Sequence, residues 1–533
     1  MKSLIVDCLS AVKGQRRSTL DVIGAGPRAI AGVLEDKNIN VDLVRAEAFL
    51  YEEYPLDDYD TLLISGMTSD LHAVRDVVEE WKERVTGPVL LGGPIAAEPV
   101  RMLRKTKADI VIVGEGEKTL EELLEIGIAY SYHPDREELE GVRGIAYVKS
   151  GQSILNPLRP VMSRDDYNRY HPSTSIISSY PLHHAARVYV EILRGCSNYR
   201  RARIGSLGEL CTYCNQCTEG DLRDRYYCPQ DIPPGCGYCS VPSLYGPPKS
   251  RSVCSIVDEV KELLGEEVRR FVLSAPGFLD YGRELLVDPE PLTDPRRPEP
   301  YYKKIEELLA SITGLTSFQE GEASLLIENV KASLVTERAA RIMGRYLNDI
   351  PVSIGFETGS HKHSMELGRP STPRENLTAI RRLSSAGLKP YVYFIHGLPG
   401  QDEETVDRTV EAMSRSVENG SRRIILYRFR SLPMSSFANE PSGPPSVHDP
   451  QSRRIYEAAT KANLEIKETL LGRVLRVVVA EPYDRDPRLY VAYPMKHGPV
   501  ILVEDAEGRV GDVIDVKVTG IESERLLRGR VIR

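Results

Sequence analysis

The chain has 533 residues, of which 41% are hydrophobic and 27% charged, and its formal net charge is -8. This length exceeds what one hydrophobic core supports, so roughly two to four domains are expected. The negative balance excludes binding of nucleic acid through bulk positive charge, although it leaves room for a local basic groove. No uninterrupted apolar run is long enough to span a membrane and the start lacks a secretory pattern, so we expect a cytoplasmic protein.

Residues 1–135 alternate short apolar runs with helical patterns. SLIVD, TLLISG, PVLLGG and DIVIVGEGE predict strands, whereas RDVVEEWKERV and TLEELLE predict helices. Such alternation is typical of a doubly wound parallel sheet with helices on both faces, an α/β fold. Residues 136–185 are expected to form a connector that carries a small hairpin over GIAYVKSGQSILNPL.

Residues 186–440 return to the strand–helix alternation. The strand candidates are VYVEILRG, RRFVLSAPGF, ASLLIENV, PVSIGFETG, KPYVYFIHGLPG and RRIILYRFR. This pattern predicts a partial or full (β/α) barrel whose chemistry lies at the carboxyl ends of its strands. Residues 441–469 contain a linker and a helix, and residues 470–533 switch to short strands separated by turns, which predicts a small β-barrel.

Most of the cysteines fall within one segment of the chain. They are Cys196, Cys211, Cys214, Cys217, Cys228, Cys236 and Cys239. The other two, Cys8 and Cys254, are most simply small apolar packing residues. A reducing compartment disfavours disulfides, so the clustered thiols indicate metal ligation, and soft thiolates suit both zinc and iron–sulfur clusters.

The two flanks of this segment resemble the cluster loop of the radical S-adenosylmethionine (SAM) superfamily. LRGCS at 193–197 is similar to the opening of that loop, and GCGYCSVPSLYGPPKSRS at 235–252 is similar to its continuation. The contiguous Cys-x3-Cys-x2-Cys spacing of the family is absent, which implies an insertion over 197–235. The resemblance implies that Cys196, Cys236 and Cys239 hold a [4Fe–4S] cluster that cleaves SAM to a 5′-deoxyadenosyl radical.

The insertion offers a second set of thiols. Cys211, Cys214, Cys217 and Cys228 would close a four-thiolate site for a second [4Fe–4S] cluster or for zinc. An alternative assigns the catalytic role to Cys211, Cys214 and Cys217. A further alternative is a zinc-bound module that performs no radical chemistry.

The segment from VSIGFETGS to EETVDRTVEAM resembles the second half of the radical SAM barrel. This likeness implies that Glu357 faces the cofactor and that Gly397 and Gly400 let the backbone approach the adenosyl group. Pro276 and Gly277 in APGF would occupy the position that pairs with the methionyl amino group.

Other candidate contacts come with plainer alternatives. Arg251 would pair with a carboxylate of the cofactor, but Arg251 and Glu357 could each be ordinary surface groups. Acid–base candidates are His361, His363 and His396, for which ordinary loop histidines are the alternative.

Residues 1–135 also resemble the cobalamin-binding type of domain that precedes many radical SAM enzymes. Gly92, Gly93 and Gly114 sit at strand ends, where a doubly wound sheet binds its ligands. The Asp-x-His-x-x-Gly motif is absent and no histidine precedes His72. The chain would therefore hold cobalamin without a protein ligand to cobalt, or it has lost that cofactor.

The last segment resembles a TRAM domain, a small β-barrel that binds structured RNA. Its candidate phosphate contacts are Arg473, Arg476, Arg525, Arg528, Arg530 and Arg533. From residue 465 onward twelve Lys and Arg face twelve Asp and Glu, so only a few phosphate contacts are expected.

These patterns favour a radical SAM transferase that methylates, or similarly modifies, a carbon of an RNA base in tRNA or rRNA. Its partners would be that RNA and an electron-donor protein, with no membrane involved. One alternative is a cobalamin-type radical methyltransferase that acts on a small molecule. The other is a non-catalytic, zinc-stabilised RNA-binding protein.

Overall fold

A computed structural model of the chain describes residues 2–16, 20–52, 54–128, 137–523 and 526–532. Arg525 and Arg533 lie outside the described residues. The chain separates into two compact units. The first contains Met1–Val190 with Cys254–Val268, and the second contains Glu191–Val253 with Arg269–Arg533.

The first unit is built on a seven-stranded sheet in the order β3-β1-β4-β5-β6-β7-β8. Its strands are β1 Lys2–Asp7, β3 Asn40–Arg45, β4 Thr61–Ser65, β5 Val89–Gly92, β6 Ile110–Ile112, β7 Ile145–Lys149 and β8 Gln152–Leu155. Two further strands, β2 Val22–Ile23 and β9 Arg187–Glu191, lie outside this sheet and pair in parallel with each other. The helices are α1 Ala25–Asp36, α2 Ala46–Tyr51, α3 Leu71–Arg84, α4 Pro99–Thr106, α5 Gly116–Glu125 and α6 Arg164–Arg169. Strands β3 to β6 are parallel, which confirms the predicted doubly wound sheet.

The hairpin expected in the connector is part of this sheet. Strands β7 and β8 pair with each other, and β7 also pairs antiparallel with β6. Without that partner the edge of β6 would expose unpaired backbone groups, which explains why a hairpin distant from β6 in sequence joins it. The sequence patterns also left β2, β3 and α1 unassigned, because each is short or weakly periodic.

The second unit begins with the strands of the predicted (β/α) barrel. They are β10 Leu193–Arg194, β11 Lys249–Ser250, β12 Arg270–Ser274, β13 Ser324–Ile327, β14 Asn329–Val330, β15 Pro351–Glu357, β16 Lys389–His396 and β17 Arg423–Arg428. Strands β12 and β13 pair in parallel, and β14 to β17 form a parallel four-stranded sheet. All the predicted strand segments are present.

The helices of this part of the chain follow the expected alternation. They are α7 Ser206–Leu210, α8 Gln216–Glu219, α9 Leu222–Tyr226, α10 Val241–Tyr245, α11 Val253–Gly265, α12 Tyr302–Thr313, α13 Thr316–Gln319, α14 Glu337–Tyr346, α15 His361–Glu366, α16 Pro373–Ser385, α17 Glu403–Glu418 and α18 Pro450–Glu468. Helix α16 begins at Pro373 because Thr372 and Glu375 form a capping box there and proline is favoured in the first turn.

Most of α11 belongs to the first unit. Arg28 of α1 is fully buried and donates a 2.7 Å hydrogen bond to the carboxylate of Glu259 in α11. Arg28 also donates to the backbone carbonyls of Ser173 and Tyr189. A buried guanidinium requires such pairing, so this ion pair anchors α11 to α1.

The carboxyl-terminal strands close into a five-stranded barrel in the order β18-β19-β20-β22-β21. They are β18 Val474–Tyr483, β19 Asp486–Pro494, β20 Val500–Glu504, β21 Val513–Ile521 and β22 Leu526–Val531. Val477, Val479, Val516 and Leu527 fill its interior, which confirms the predicted small β-barrel. Within the part of the chain that the structure describes, no helix combines the length and apolar character needed to cross a membrane.

Candidate functional site

Asn198 contacts two of the three cysteines Cys196, Cys236 and Cys239. Its backbone N–H donates to Cys196 Sγ at 3.4 Å, and its Nδ2 donates to Cys236 Sγ at 3.3 Å. The backbone N–H of Cys239 donates to the carbonyl of Cys236 at 2.8 Å. Nδ2 of Asn198 also donates to the Gly368 carbonyl, so the loop after β10 is tied to the segment after α15 as well. The 197–235 insertion therefore does not separate the two halves of the cysteine pattern in space.

The surroundings of these thiols disfavour their deprotonation to thiolates. Burial raises the pKa of Cys196, and burial together with Cys236 and Cys196 raises the pKa of Cys239 to about 12. Thiols in such a setting release their protons when a metal replaces them, because its positive charge compensates the thiolates. Three converging thiols therefore fit an iron–sulfur cluster, whose ligands are thiolates.

Arg369 links this cysteine group to the acid at the end of β15. Its guanidinium donates to Cys236 Sγ at 3.4 Å, to Tyr238 Oη at 2.8 Å and to the backbone carbonyl of Gly355. It also lies 3.6 Å from Glu357 Oε1. The sequence analysis missed Arg369, because only the fold brings LGR after α15 next to the cysteine loop.

Glu357 is 7% exposed, which overturns the alternative of a solvated surface acid. It follows a β-bulge in β15 and has a φ of +67°, a conformation that costs energy for a residue with a side chain. Burial raises the pKa of Glu357, while the Arg369 charge and the Tyr238 hydroxyl act against that rise. The acid is thus held at the carboxyl end of a barrel strand, where ligands bind.

Gly277 packs against a buried cation. A Cβ at Gly277 would lie 2.8 Å from Lys331 Nζ, so a side chain there would displace that ammonium. Pro276 is half-buried beside it. Lys331 pairs with Asp280, which is also bonded to Ser197, the residue after Cys196. Lys331 and Asn198 are further residues that the sequence analysis missed, and neither lies in a motif that would single it out.

Gly397, Gly400 and Arg251 have close neighbours within this chain. A Cβ at Gly397 would lie 2.8 Å from Gly443 Cα, and one at Gly400 would lie 3.2 Å from Ile204, so both glycines allow other segments to pack closely. Arg251 is 3% exposed and donates to the Glu191 carbonyl at 3.0 Å, so it is not a surface arginine. The contacts of these three residues with the cofactor stay predictions.

The histidines divide into one exposed and two buried side chains. His361 is exposed, whereas His363 and His396 are buried. His363 contacts Thr358 Oγ1 at 3.1 Å and the Pro399 carbonyl at 2.8 Å, which joins α15 to the turn after β16. Burial lowers the pKa of His363, so the neutral imidazole is favoured and its contacts are those of a structural group.

The cysteines of the insertion lie on or beside three short helices. Cys211 follows α7, Cys217 lies in α8, Cys228 follows α9, and Cys214 is exposed between α7 and α8. Arg203 Nη2 lies 3.6 Å from Cys217 Sγ. Cys217 and Cys228 both act on the buried guanidinium of Arg201, whose pKa is lowered by burial and partly restored by these two thiols. Among the described residues, no three His, Cys, Asp or Glu side chains are close enough together to hold a single metal ion.

The carboxyl edge of the first unit's sheet contains an open position. A Cβ at Gly92 would meet no atom within 4 Å, whereas one at Gly93 would meet the Gly66 carbonyl at 2.8 Å. Gly93 and Gly114 both have positive φ angles, +86° and +81°. The strand end at Gly92 thus has open space in the direction of a side chain.

The outer face of β18, β21 and β22 carries several basic side chains. Arg476 lies opposite Asp515, and Lys517 lies opposite Arg530. Arg528 and Arg530 are paired with Glu504. Among the described residues, Arg476 and Lys517 form no ion pair, and both are exposed.

Comparison with known families identifies two domains. Residues 226–413 match the radical SAM superfamily, and residues 16–124 match the B12 binding domain. The radical SAM match includes Cys228, Cys236 and Cys239 and begins downstream of Cys196.

Individual relatives cover most of the chain. The protein MK0932 of Methanopyrus kandleri is 41% identical over 99% of this chain and 96% of its own length. A tRNA-2-methylthio-N(6)-dimethylallyladenosine synthase of Clostridium novyi is 21% identical over 54% of this chain and 60% of its own length. The solved structure of the radical SAM methyltransferase TsrM from Kitasatospora setae, with cobalamin and a [4Fe–4S] cluster bound, matches with a TM-score of 0.58. That match has 14% identity and covers 82% of this chain and 76% of TsrM, so it shows a shared fold.

A radical SAM domain works with a [4Fe–4S] cluster and SAM. The B12-binding match and the fold shared with TsrM are consistent with cobalamin as a further cofactor. The chain therefore belongs to the radical S-adenosylmethionine superfamily and is an enzyme that joins a B12-binding domain and a small carboxyl-terminal β-barrel to its radical SAM domain.

Proposed function

We propose that the chain is a radical SAM methyltransferase that modifies a structured RNA, with Cys196, Cys236 and Cys239 as the ligands of its catalytic cluster. The observation that carries the proposal is the contact of Asn198 with both Cys196 and Cys236, together with the hydrogen bond that joins Cys239 to Cys236. When bound, a [4Fe–4S] cluster with three protein thiolates supplies an open iron and one electron for SAM.

The protein's own residues prepare this site. Asn198 orients Cys196 and Cys236 through its N–H groups. Arg369 places a positive charge beside Cys236 and holds Glu357 at the end of β15, where the carboxylate is available to a hydroxyl or amino group of SAM. The burial of this group keeps water away from a reactive radical, which is one task of such a cavity.

The alternative triads fit the geometry less well. Cys228 lies in the segment that matches the superfamily, but it interacts with Arg201. Cys214, which the rival triad requires, is exposed, and its thiol lies 3.8 Å from Gln216 Oε1. Cys196, by contrast, interacts electrostatically with both Cys236 and Cys239.

We assign the four insertion cysteines to a second site. Arg201 and Arg203 lie beside Cys211, Cys217 and Cys228, and these cations offset the negative charge that thiolates would bring. Four thiolates suit either a [4Fe–4S] cluster or a zinc ion.

The first unit would hold a corrinoid at the carboxyl edge of its sheet. The B12-binding match and the open space above Gly92 support this assignment. No histidine precedes His72, so the cobalt would receive no imidazole from the loop after β1. A methyl group carried there would make the enzyme a methyltransferase.

The carboxyl-terminal barrel would dock the RNA in the manner of a TRAM domain. Arg473, Arg476 and Lys517 are exposed, and the latter two lie on neighbouring strands of its outer face. Free cations of this kind contact phosphates and position a nucleic acid without reading its sequence. The relative from Clostridium novyi is named for a tRNA modification, which is consistent with this substrate class.

A small-molecule substrate is the second candidate. It is favoured by the pairing of Arg528 and Arg530 with Glu504, which removes two of the expected phosphate contacts. Under this alternative the barrel is structural and the same cluster, SAM and corrinoid serve a different acceptor.

Alanine at Cys196, Cys236 or Cys239 should abolish reductive cleavage of SAM and remove roughly four irons per chain, because a four-iron cluster with two thiolates is released. We would measure 5′-deoxyadenosine and iron after anaerobic reconstitution, with Cys254→Ala as the matched control. If the Cys196→Ala variant still cleaves SAM but Cys211→Ala or Cys228→Ala does not, another triad is catalytic.

The double variant Cys211→Ala/Cys217→Ala should lose the metal of the insertion while SAM cleavage without substrate continues. The reason is that the two thiol sets are held by different residues, Asn198 and the Arg201–Arg203 pair. Measuring the iron content and the zinc content of the same sample shows which of the two metals the insertion binds. Unchanged metal content relative to Cys254→Ala would contradict a second site.

Gly92→Leu should prevent retention of a corrinoid, because the side chain begins in the open space at the end of β5, where the ligand is proposed to bind. The measurement is the absorbance spectrum after incubation with hydroxocobalamin and desalting. Gly141→Leu is the control, since its Cβ would also meet nothing within 4 Å. A wild-type chain that retains no corrinoid would refute the methyl-carrier role.

The triple variant Arg473→Glu/Arg476→Glu/Lys517→Glu should weaken binding to tRNA or rRNA about tenfold or more, and lower the salt slope by about one per lost phosphate contact. Uncoupled SAM cleavage should be unchanged. Arg485→Glu/Arg488→Glu/Arg509→Glu makes the same change in net charge at exposed hairpin and turn positions of the barrel. RNA binding that both triple variants reduce equally, or neither reduces, would favour the small-molecule acceptor.

A further inference from the structure

A buried ion cluster lies next to the loop that carries Cys196. Its centre is Asp280, in the turn after β12, which is 0% exposed. Both carboxylate oxygens accept from Ser197 Oγ at 3.0 Å, and they also accept from Arg283 and Lys331. The cluster is thus connected through one hydrogen-bonded serine to the neighbouring residue Cys196.

The ammonium of Lys331 is held in place on two sides. Lys331 follows β14 directly and is 8% exposed. Asp280 binds its Nζ, and the missing side chain of Gly277 provides the space beside it, since a Cβ there would lie 2.8 Å away. Among the described residues, Asp280 is the one hydrogen-bond partner of this ammonium, although an ammonium has three donors.

The charges in this cluster do not balance. Arg283 and Lys331 contribute two positive charges and Asp280 one negative charge, and all three side chains are buried. Arg283 satisfies its other donors with the carbonyls of Asp294 and Pro298. Among the described residues Lys331 has no such carbonyl acceptor, so the excess positive charge is located at its Nζ. A buried charge without a second partner costs free energy.

Ser197 links this charge to the segment that carries Cys196. Its hydroxyl donates to both oxygens of the Asp280 carboxylate that binds Lys331, and Cys196 is the residue before it in the chain. The excess positive charge therefore lies two hydrogen bonds from the residue that follows Cys196.

We propose that Lys331, held by Asp280, is a positioning residue that raises the reduction potential of the cluster bound by Cys196. The inference rests on the proposed catalytic triad. Reduction adds one electron from a low-potential one-electron donor and breaks no bond, so the reduced cluster carries one more negative charge. A fixed positive charge in a dry environment stabilises that more negative state.

The test is a redox titration of the full chain, reconstituted anaerobically and kept free of SAM, with the reduced cluster followed by electron paramagnetic resonance. Lys331→Met should lower the midpoint potential, and Asp280→Asn should raise it, because the two changes remove charges of opposite sign. Lys303→Met is the matched control at an exposed lysine and should leave the potential unchanged.

Gly277→Ala provides a variant that keeps every charged residue. The added methyl group displaces Nζ, so a smaller shift in the direction of Lys331→Met is expected. A midpoint potential in Lys331→Met equal to that of the wild type would overturn the inference, as would a shift that appears only after SAM is added. Either result leaves the triad intact, whereas SAM cleavage in Cys196→Ala refutes the triad itself.

Discussion

The chemistry proposed for the second unit depends on placing the thiols of Cys196, Cys236 and Cys239 in one largely buried site. Neighbouring thiolates repel one another, and burial penalises each of them, so the site requires positive charge nearby. The fold supplies Arg369 beside Cys236 and Lys331 beside Cys196, each fixed by a carboxylate of its own, Glu357 or Asp280. This compensation explains why buried cations from other segments lie beside these cysteines.

The site lies at the ends of strands, where residues from different segments can meet. Glu357 ends β15, the APGF segment follows β12 and Lys331 follows β14. In a parallel arrangement the carboxyl ends of neighbouring strands meet at one edge, so residues far apart in sequence converge there. The first unit repeats the principle, since Gly92 ends β5 at the edge where doubly wound sheets bind ligands.

Several residues that look like ligand contacts in the sequence have a role in the fold. Gly397 and Gly400 allow segments of the same chain to pack closely, Arg251 donates to a backbone carbonyl, and His363 joins α15 to the turn after β16. Motif patterns associate each of these residue types with ligand binding. Glycine, however, also allows close packing, and arginine and histidine also form buried hydrogen bonds within a fold. Only their neighbours distinguish the two uses.

The sequence by itself determined the order of the architectures and the identity of the chemistry. Periodic apolar runs predicted the doubly wound sheet, the strands of the (β/α) barrel and the small β-barrel, because side-chain periodicity is a local property. The clustered cysteines and their flanks also indicated radical SAM chemistry. The sequence could not predict that the hairpin β7–β8 joins the sheet at β6, or that most of α11 belongs to the first unit. Both depend on partners that are distant in the chain.

The tertiary structure alone decided which thiols share a space and which charges face them. The insertion separates Cys196 from Cys236 along the chain, and Asn198, Arg369 and Lys331 stand in three unrelated segments. No local pattern marks these residues, because their role arises from contacts formed when strand ends and loops pack together. Burial then sets the electrostatics, since a cation exerts a strong effect on a thiol only where water is excluded.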